Sequence, residues 1–73
     1  SIGAVIISVK KDSQAYDAGL KEGMVILRVG QVEVDKISVI DNAIKNAKKQ
    51  NRKALLMLVK ANESNRFVAV EIK

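Results

Sequence analysis

The chain of 73 residues contains no cysteine, no histidine, no proline and no tryptophan, and its aromatic residues are one Tyr and one Phe. Without cysteine, neither a disulfide framework nor a thiolate metal site can form. The redox compartment stays open on that ground, because cysteine-free domains occur on both sides of a membrane. Without histidine, the commonest general base and metal ligand is missing. No apolar run approaches the roughly 20 residues needed to cross a bilayer. The chain opens abruptly, with Ser1-Ile2-Gly3 leading straight into a strand-like run. It reads as a piece cut from something longer, so no targeting signal is expected within it.

What is present is aliphatic. Apolar residues make up 48% of the chain and are spread along its whole length, as in a folded globule rather than a disordered segment. The length allows one domain, residues 1–73, with a thin core built from Val, Ile, Leu and Ala. A net charge of +5 admits acidic partners or nucleic acid but is also common on ordinary domains. Lys45, Lys48, Lys49, Arg52 and Lys53 form a basic run. No aromatic residue interleaves it and it falls at the end of a helical pattern, so it reads as a solvated helix end rather than a nucleic-acid patch.

Periodicity divides the chain into short elements. Residues 3–9 are β-branched and apolar, the composition of a strand. Residues 15–18 form a helical turn, 24–29 a second strand, and Gly30-Gln31 a tight hairpin turn into a third strand at 32–34. Residues 35–50 place Ile37, Ile40, Ala43, Ile44 and Ala47 at helical spacing, with Asp35 or Ser38 positioned to cap the start. Strands over 54–61 and 66–72 enclose a turn at Asn62-Glu63-Ser64-Asn65. Five short strands with one long and one short helix predict an α+β, mainly β fold, a curved sheet or partial barrel capped by the long helix.

The stretch Ala15-Tyr16-Asp17-Ala18-Gly19-Leu20-Lys21-Glu22-Gly23-Met24, followed by Val25-Ile26-Leu27-Arg28-Val29, resembles the central signature of PDZ domains. Ile2-Gly3-Ala4 stands where that family has its hydrophobic-Gly-hydrophobic loop. Ala43-Ile44-Lys45-Asn46-Ala47 matches the end of the groove helix. Leu55-Leu56-Met57-Leu58-Val59, a turn, and Arg66-Phe67-Val68-Ala69-Val70 resemble the ending of the last PDZ domain of HtrA/Deg-type serine proteases. Two positions depart from the pattern: Met24 replaces the usual Asp, and Gly30-Gln31 replaces Asn-Gly.

The resemblance implies a bacterial-type permuted strand order and a groove between the 3–9 strand and the 35–50 helix. It implies peptide binding by strand addition, of C-termini with apolar last residues or of extended segments. The side chains it places in the groove are Ile2, Ala4, Ile6 and Ser8 from the strand, and Ile37, Asp41 and Ile44 from the helix. The N–H groups of Ile2, Gly3 and Ala4 would form a nest for the ligand carboxylate. Ile37 stands where a ligand hydroxyl would meet a histidine in other members, which predicts apolar residues at the last and third-last ligand positions. The Gly-containing strand start, Ile6 and Ile44 each have a plainer reading as strand and core. Only their ordered combination with the signature points to a groove.

Nothing points to catalysis or to a cofactor. Ser8, Ser13, Ser38 and Ser64 have no histidine to activate them. Asp12, Asp17, Glu22, Asp35 and Asp41 lack the spacing of a metal site or an acid pair, and solubility accounts for them. The resemblance implies a non-catalytic domain of a parent serine endopeptidase acting in protein quality control, without membrane insertion. It also implies neighbouring domains of that protease as partners and an extracytoplasmic, periplasmic setting. The competing expectation is a structural module that packs against other domains or subunits and binds no free peptide.

Overall fold

In residues 54–61, Leu55, Met57 and Val59 alternate with Leu56, Leu58 and Lys60, and a period of two turns the first set to one face of a strand. The computed structural model describes residues 2–72 and realises this pattern. Its elements run β1 (Ala4–Val5), α1 (Gln14–Asp17), β2 (Val25–Val29), β3 (Val32–Glu33), α2 (Ile37–Lys49), β4 (Ala54–Ala61) and β5 (Ser64–Glu71). The strands form one antiparallel sheet in the order β1-β2-β4-β5, with β3 also paired to β2. This is the small, mainly β architecture with two helices expected from the sequence.

Leu55, Met57 and Val59 are buried, and Met24, Ile26, Val29, Val34, Leu20 and Val70 complete the cluster around them. Ala47 is the buried residue of α2, while Val39, Ile40, Ala43 and Ile44 pack half-buried against the cluster. Among the described residues no polar or charged side chain is buried. The core therefore owes its stability to aliphatic burial, at roughly 25 cal/mol per Å².

A bulge in β2 decides what that core contains. Ile26 pairs with Val59 and Arg28 with Leu58, so Leu27 is one residue too many on the β2 side. Strict alternation from Met24 and Ile26 would carry Arg28 into the core. The extra residue shifts the phase, so Val29 is buried and Arg28 is exposed.

Several boundaries differ from the sequence expectation. The first strand was expected over 3–9; β1 is two residues long. Ile6 still bonds to Met24 and Gly23, but beyond it the chain leaves the sheet for an irregular stretch and α1. α1 begins at Gln14 because the Ser13 hydroxyl accepts from the Tyr16 N–H. α2 starts at Ile37, not at residue 35, and neither Asp35 nor Ser38 caps it. Lys36 holds the N-cap position without a side-chain bond. The physical reason lies one residue earlier: Val34 is fully buried and its N–H donates to the Leu27 carbonyl, which holds the chain in the sheet. The last hairpin turns on Asn62 and Glu63, with Ala61 opposite Ser64, so β5 begins two residues earlier than expected. Asn62 has a φ of 58°, a conformation asparagine tolerates better than most residues.

Candidate functional site

β1 and β3 lie end to end along one edge of β2. Val32 and Glu33 oppose Val29 and Arg28, while Ala4 and Val5 oppose Ile26 and Val25. The two strands meet at Gly3, whose N–H donates to the Val34 carbonyl at 2.6 Å. Gly3 has a φ of 119°, and a Cβ there would lie 2.6 Å from Cγ1 of Val25. Only glycine fits that junction.

The other edge of β1 is unpaired among the described residues. The Ile6 N–H donates to the Met24 carbonyl and the Ile6 carbonyl accepts from the Gly23 N–H, both at 2.8 Å. Trans peptide planarity then fixes the neighbours. The Val5 carbonyl and the Ile7 N–H must point away from β2. The Val5 N–H joins them, because Val5 and Val25 form the pair between two hydrogen-bonded ones. Three backbone groups are thus presented along an open edge.

Side chains alternate on the same strand. Ala4 and Ile6 turn inward and pack against the core, while Val5 is 63% and Ile7 81% exposed. Ser8, expected beside Ile6, is exposed in the irregular stretch. Ile2 is exposed. The expected anion nest loses two of its donors: Gly3 donates to Val34, and the antiparallel pairing directs the Ala4 N–H toward β2.

On α2, Ile37, Asp41 and Ile44 share a flank by their spacing of four and three residues. Ile37 is the first helical residue and is 65% exposed; Asp41 is exposed and Ile44 half-buried. Ile44 lines a groove with Ser13, Gln14, Ala15, Met57 and Ile72. On the opposite flank, Val39, Asn42, Ala43 and Asn46 face Val32 of β3. The candidate residues thus form two groups, one along β1 and one along a flank of α2. Side-chain reasoning passed over Val5 and Ile7. Their signal is in the backbone register, which alternation of apolar residues does not reveal.

Ser8 and Lys11 stand at Ser-x-x-Lys spacing. The spacing joins the two groups only on a helical turn, and both residues are exposed in the irregular stretch before α1. Among the described residues no cluster of Asp and Glu has metal-binding geometry.

No family model matches the chain. Curated relatives do. The chain is 46% identical over 71 residues to a probable periplasmic serine endoprotease, DegP-like, of Bartonella henselae, covering 97% of this chain and 14% of that protein. The DegP-like protein of Rhizobium meliloti is 44% identical over 70 residues, with 96% and 14% covered. That of Chlamydia muridarum is 33% identical over 69 residues, with 94% and 13% covered. The chain is homologous to one small segment of DegP-like proteins. It spans about one seventh of their length.

Proposed function

We propose that this chain is a PDZ-type, non-catalytic module of an HtrA-type serine protease, acting in the periplasm and holding extended polypeptide by strand addition to β1. The observation that carries the reading is the open edge at Val5 and Ile7. An added strand would satisfy those backbone groups whatever its sequence, and the aliphatic side chains along β1 would favour apolar ligands. The strand order, with β5 completing the sheet beside β4, is consistent with the permuted PDZ arrangement. The relatives' printed names support the protease context and the compartment. Ile2, Gly3, Ala4, Ile6, Ser8, Ile37, Asp41 and Ile44 remain the proposed site, with Val5 and Ile7 added for their backbone.

Titration of the chain with apolar peptides tests this, read at the backbone amides. The Ile7 amide is expected to shift; movement confined to α2, with β1 silent, refutes strand addition. Because Ile6 and Ile44 pack against the core, lysine substitutions there mix binding with stability, and backbone probes on the open edge are cleaner.

A second reading has its own observation. Phe67, the chain's one phenylalanine, is 66% exposed, and its cross-strand partner Leu58 and nearby Leu56 lie on the same outer face. Exposed aromatic residues anchor interfaces, so this face suits packing against another domain of the parent. Phe67→Ser leaves peptide titration unchanged on the first reading; loss of parent assembly without any peptide binding by the chain selects the second.

A further inference from the structure

We infer that the end of α2 carries a binding site for compact phosphate-bearing anions, built from Lys48, Asn51, Arg52 and Lys53. The site uses none of the β1 edge and goes beyond the strand-addition reading, so either can fail without the other. In the fold, the five cations of the basic run do not form one stripe. Lys45 and Lys49, four residues apart, are exposed and share a face of α2. Lys48, Arg52 and Lys53 instead converge, with Asn51 and Ile72, on a shallow open depression of about 440 Å³. Among its described lining residues none is acidic. Glu71 lies with Lys48 in the adjoining groove.

The backbone under these cations is held in place. Asn51 has a left-handed φ of 55°. Around it the Arg52 N–H donates to the Ala47 carbonyl at 2.9 Å and the Asn51 N–H to the Lys48 carbonyl at 3.1 Å, the paired bonds that close a helix end. The Lys53 carbonyl accepts from the Ile72 N–H at 2.9 Å, which ties the turn to the sheet. Less chain therefore has to be ordered when an anion binds. The C-terminal end of a helix is negative by about half a charge and opposes an anion. Here the Asn46, Ala47 and Lys48 carbonyls already accept from backbone N–H groups, and three unit positive charges outweigh what remains. A phosphate group brings about two charges and three acceptor oxygens at neutral pH, so each cation can meet its own oxygen. Arg52 can bond two of them, and the Asn51 carboxamide can donate to another. A single carboxylate offers only two oxygens in one plane. A nucleic-acid strand needs a longer basic track with rings for stacking, and no aromatic residue is among those lining the depression.

Inorganic pyrophosphate is the probe, titrated into the chain and read at the backbone amides. Those of Asn51, Arg52 and Lys53 are expected to shift while that of Ile7 stays still. Arg52→Gln should weaken binding about fivefold, and Lys48→Gln or Lys53→Gln about threefold, the range of single exposed charge pairs. Lys45→Gln and Lys49→Gln lower the net charge by the same amount and should change the affinity by less than about 1.5-fold, because salt screens charges outside the site. All five side chains are exposed, so each variant should keep the thermal transition of the unchanged chain. Equal weakening by all five overturns the inference, since a diffuse positive field then accounts for the binding. Citrate, a tricarboxylate of similar charge, should bind at least about fivefold more weakly; equal affinity overturns the phosphate class. No shift at the three amides with about 10 mM pyrophosphate overturns the site itself.

Discussion

At Gly3 a single missing Cβ carries two constraints: a φ of 119° and a collision at 2.6 Å with the branched side chain of Val25. Gly30, at φ 62°, carries only the first, since a Cβ there would meet nothing within 4 Å. Gly30→Ala should therefore cost about 1–2 kcal/mol, the strain of a left-handed residue. Gly3→Ala should cost more, because Val25 is stiff at χ1 and β1 must shift to relieve the contact. Urea denaturation of the two variants checks the order; equal losses would show that the junction has room. Val34→Ala removes two methyl groups from a fully buried position and should cost roughly 2 kcal/mol. The sequence marked Gly3 as special for an anion. The structure gives it a different task, joining two collinear strands, and no local pattern distinguishes these uses because the partner residue lies 31 positions away at Val34.

At the scale of elements, legibility followed locality. β4, β5 and α2 each carry an uninterrupted period and were found within a residue or two at most ends. β2 was found as a strand, but its bulge was invisible, because Leu27 looks like any other apolar residue until β4 supplies the opposing register. The same lack of a partner made β1 look seven residues long, when only its first part has β2 to pair with. The candidate site suffered likewise: residue types along β1 and α2 were readable, while the direction of each backbone group was not. α2 also has an unused resource at its start, where Lys36 is the N-cap and makes no side-chain bond. Lys36→Asp should stabilise the chain by about 1 kcal/mol, through a capping bond and a favourable charge at the positive end of the helix. A rise in melting temperature checks this; a fall would mean that Lys36 itself makes a stabilising contact.

Across the whole molecule, the basic segment and β1 are separated in sequence. Residues 42–62 carry six Lys and Arg and no acid, which accounts for the net positive charge, and β1 contains no charged residue. Binding of an uncharged peptide to β1 should change little between about 50 and 200 mM salt, whereas docking through several cations would weaken by orders of magnitude. Salt titration of the peptide affinity distinguishes the two.

The shortness of β1 has a kinetic consequence. β4 and β5 are joined by a two-residue turn and pair over eight positions, so they close early and open with the globule. β1 is attached by a two-residue ladder, the bonds of Ile6 and the link from Gly3 to Val34. Its detachment withdraws only the half-buried Ala4 and Ile6 from the central cluster and leaves the buried residues packed on one another, so it should occur far more often than the molecule unfolds. The amides of Ala4 and Ile6 should therefore exchange with deuterium through local opening, at rates insensitive to low denaturant. Those of Met57 and Val59 should exchange only through global unfolding. A ligand on the open edge would slow the first pair and leave the second unchanged until saturation raises overall stability. Equal protection at all four amides would show that β1 opens only with the rest.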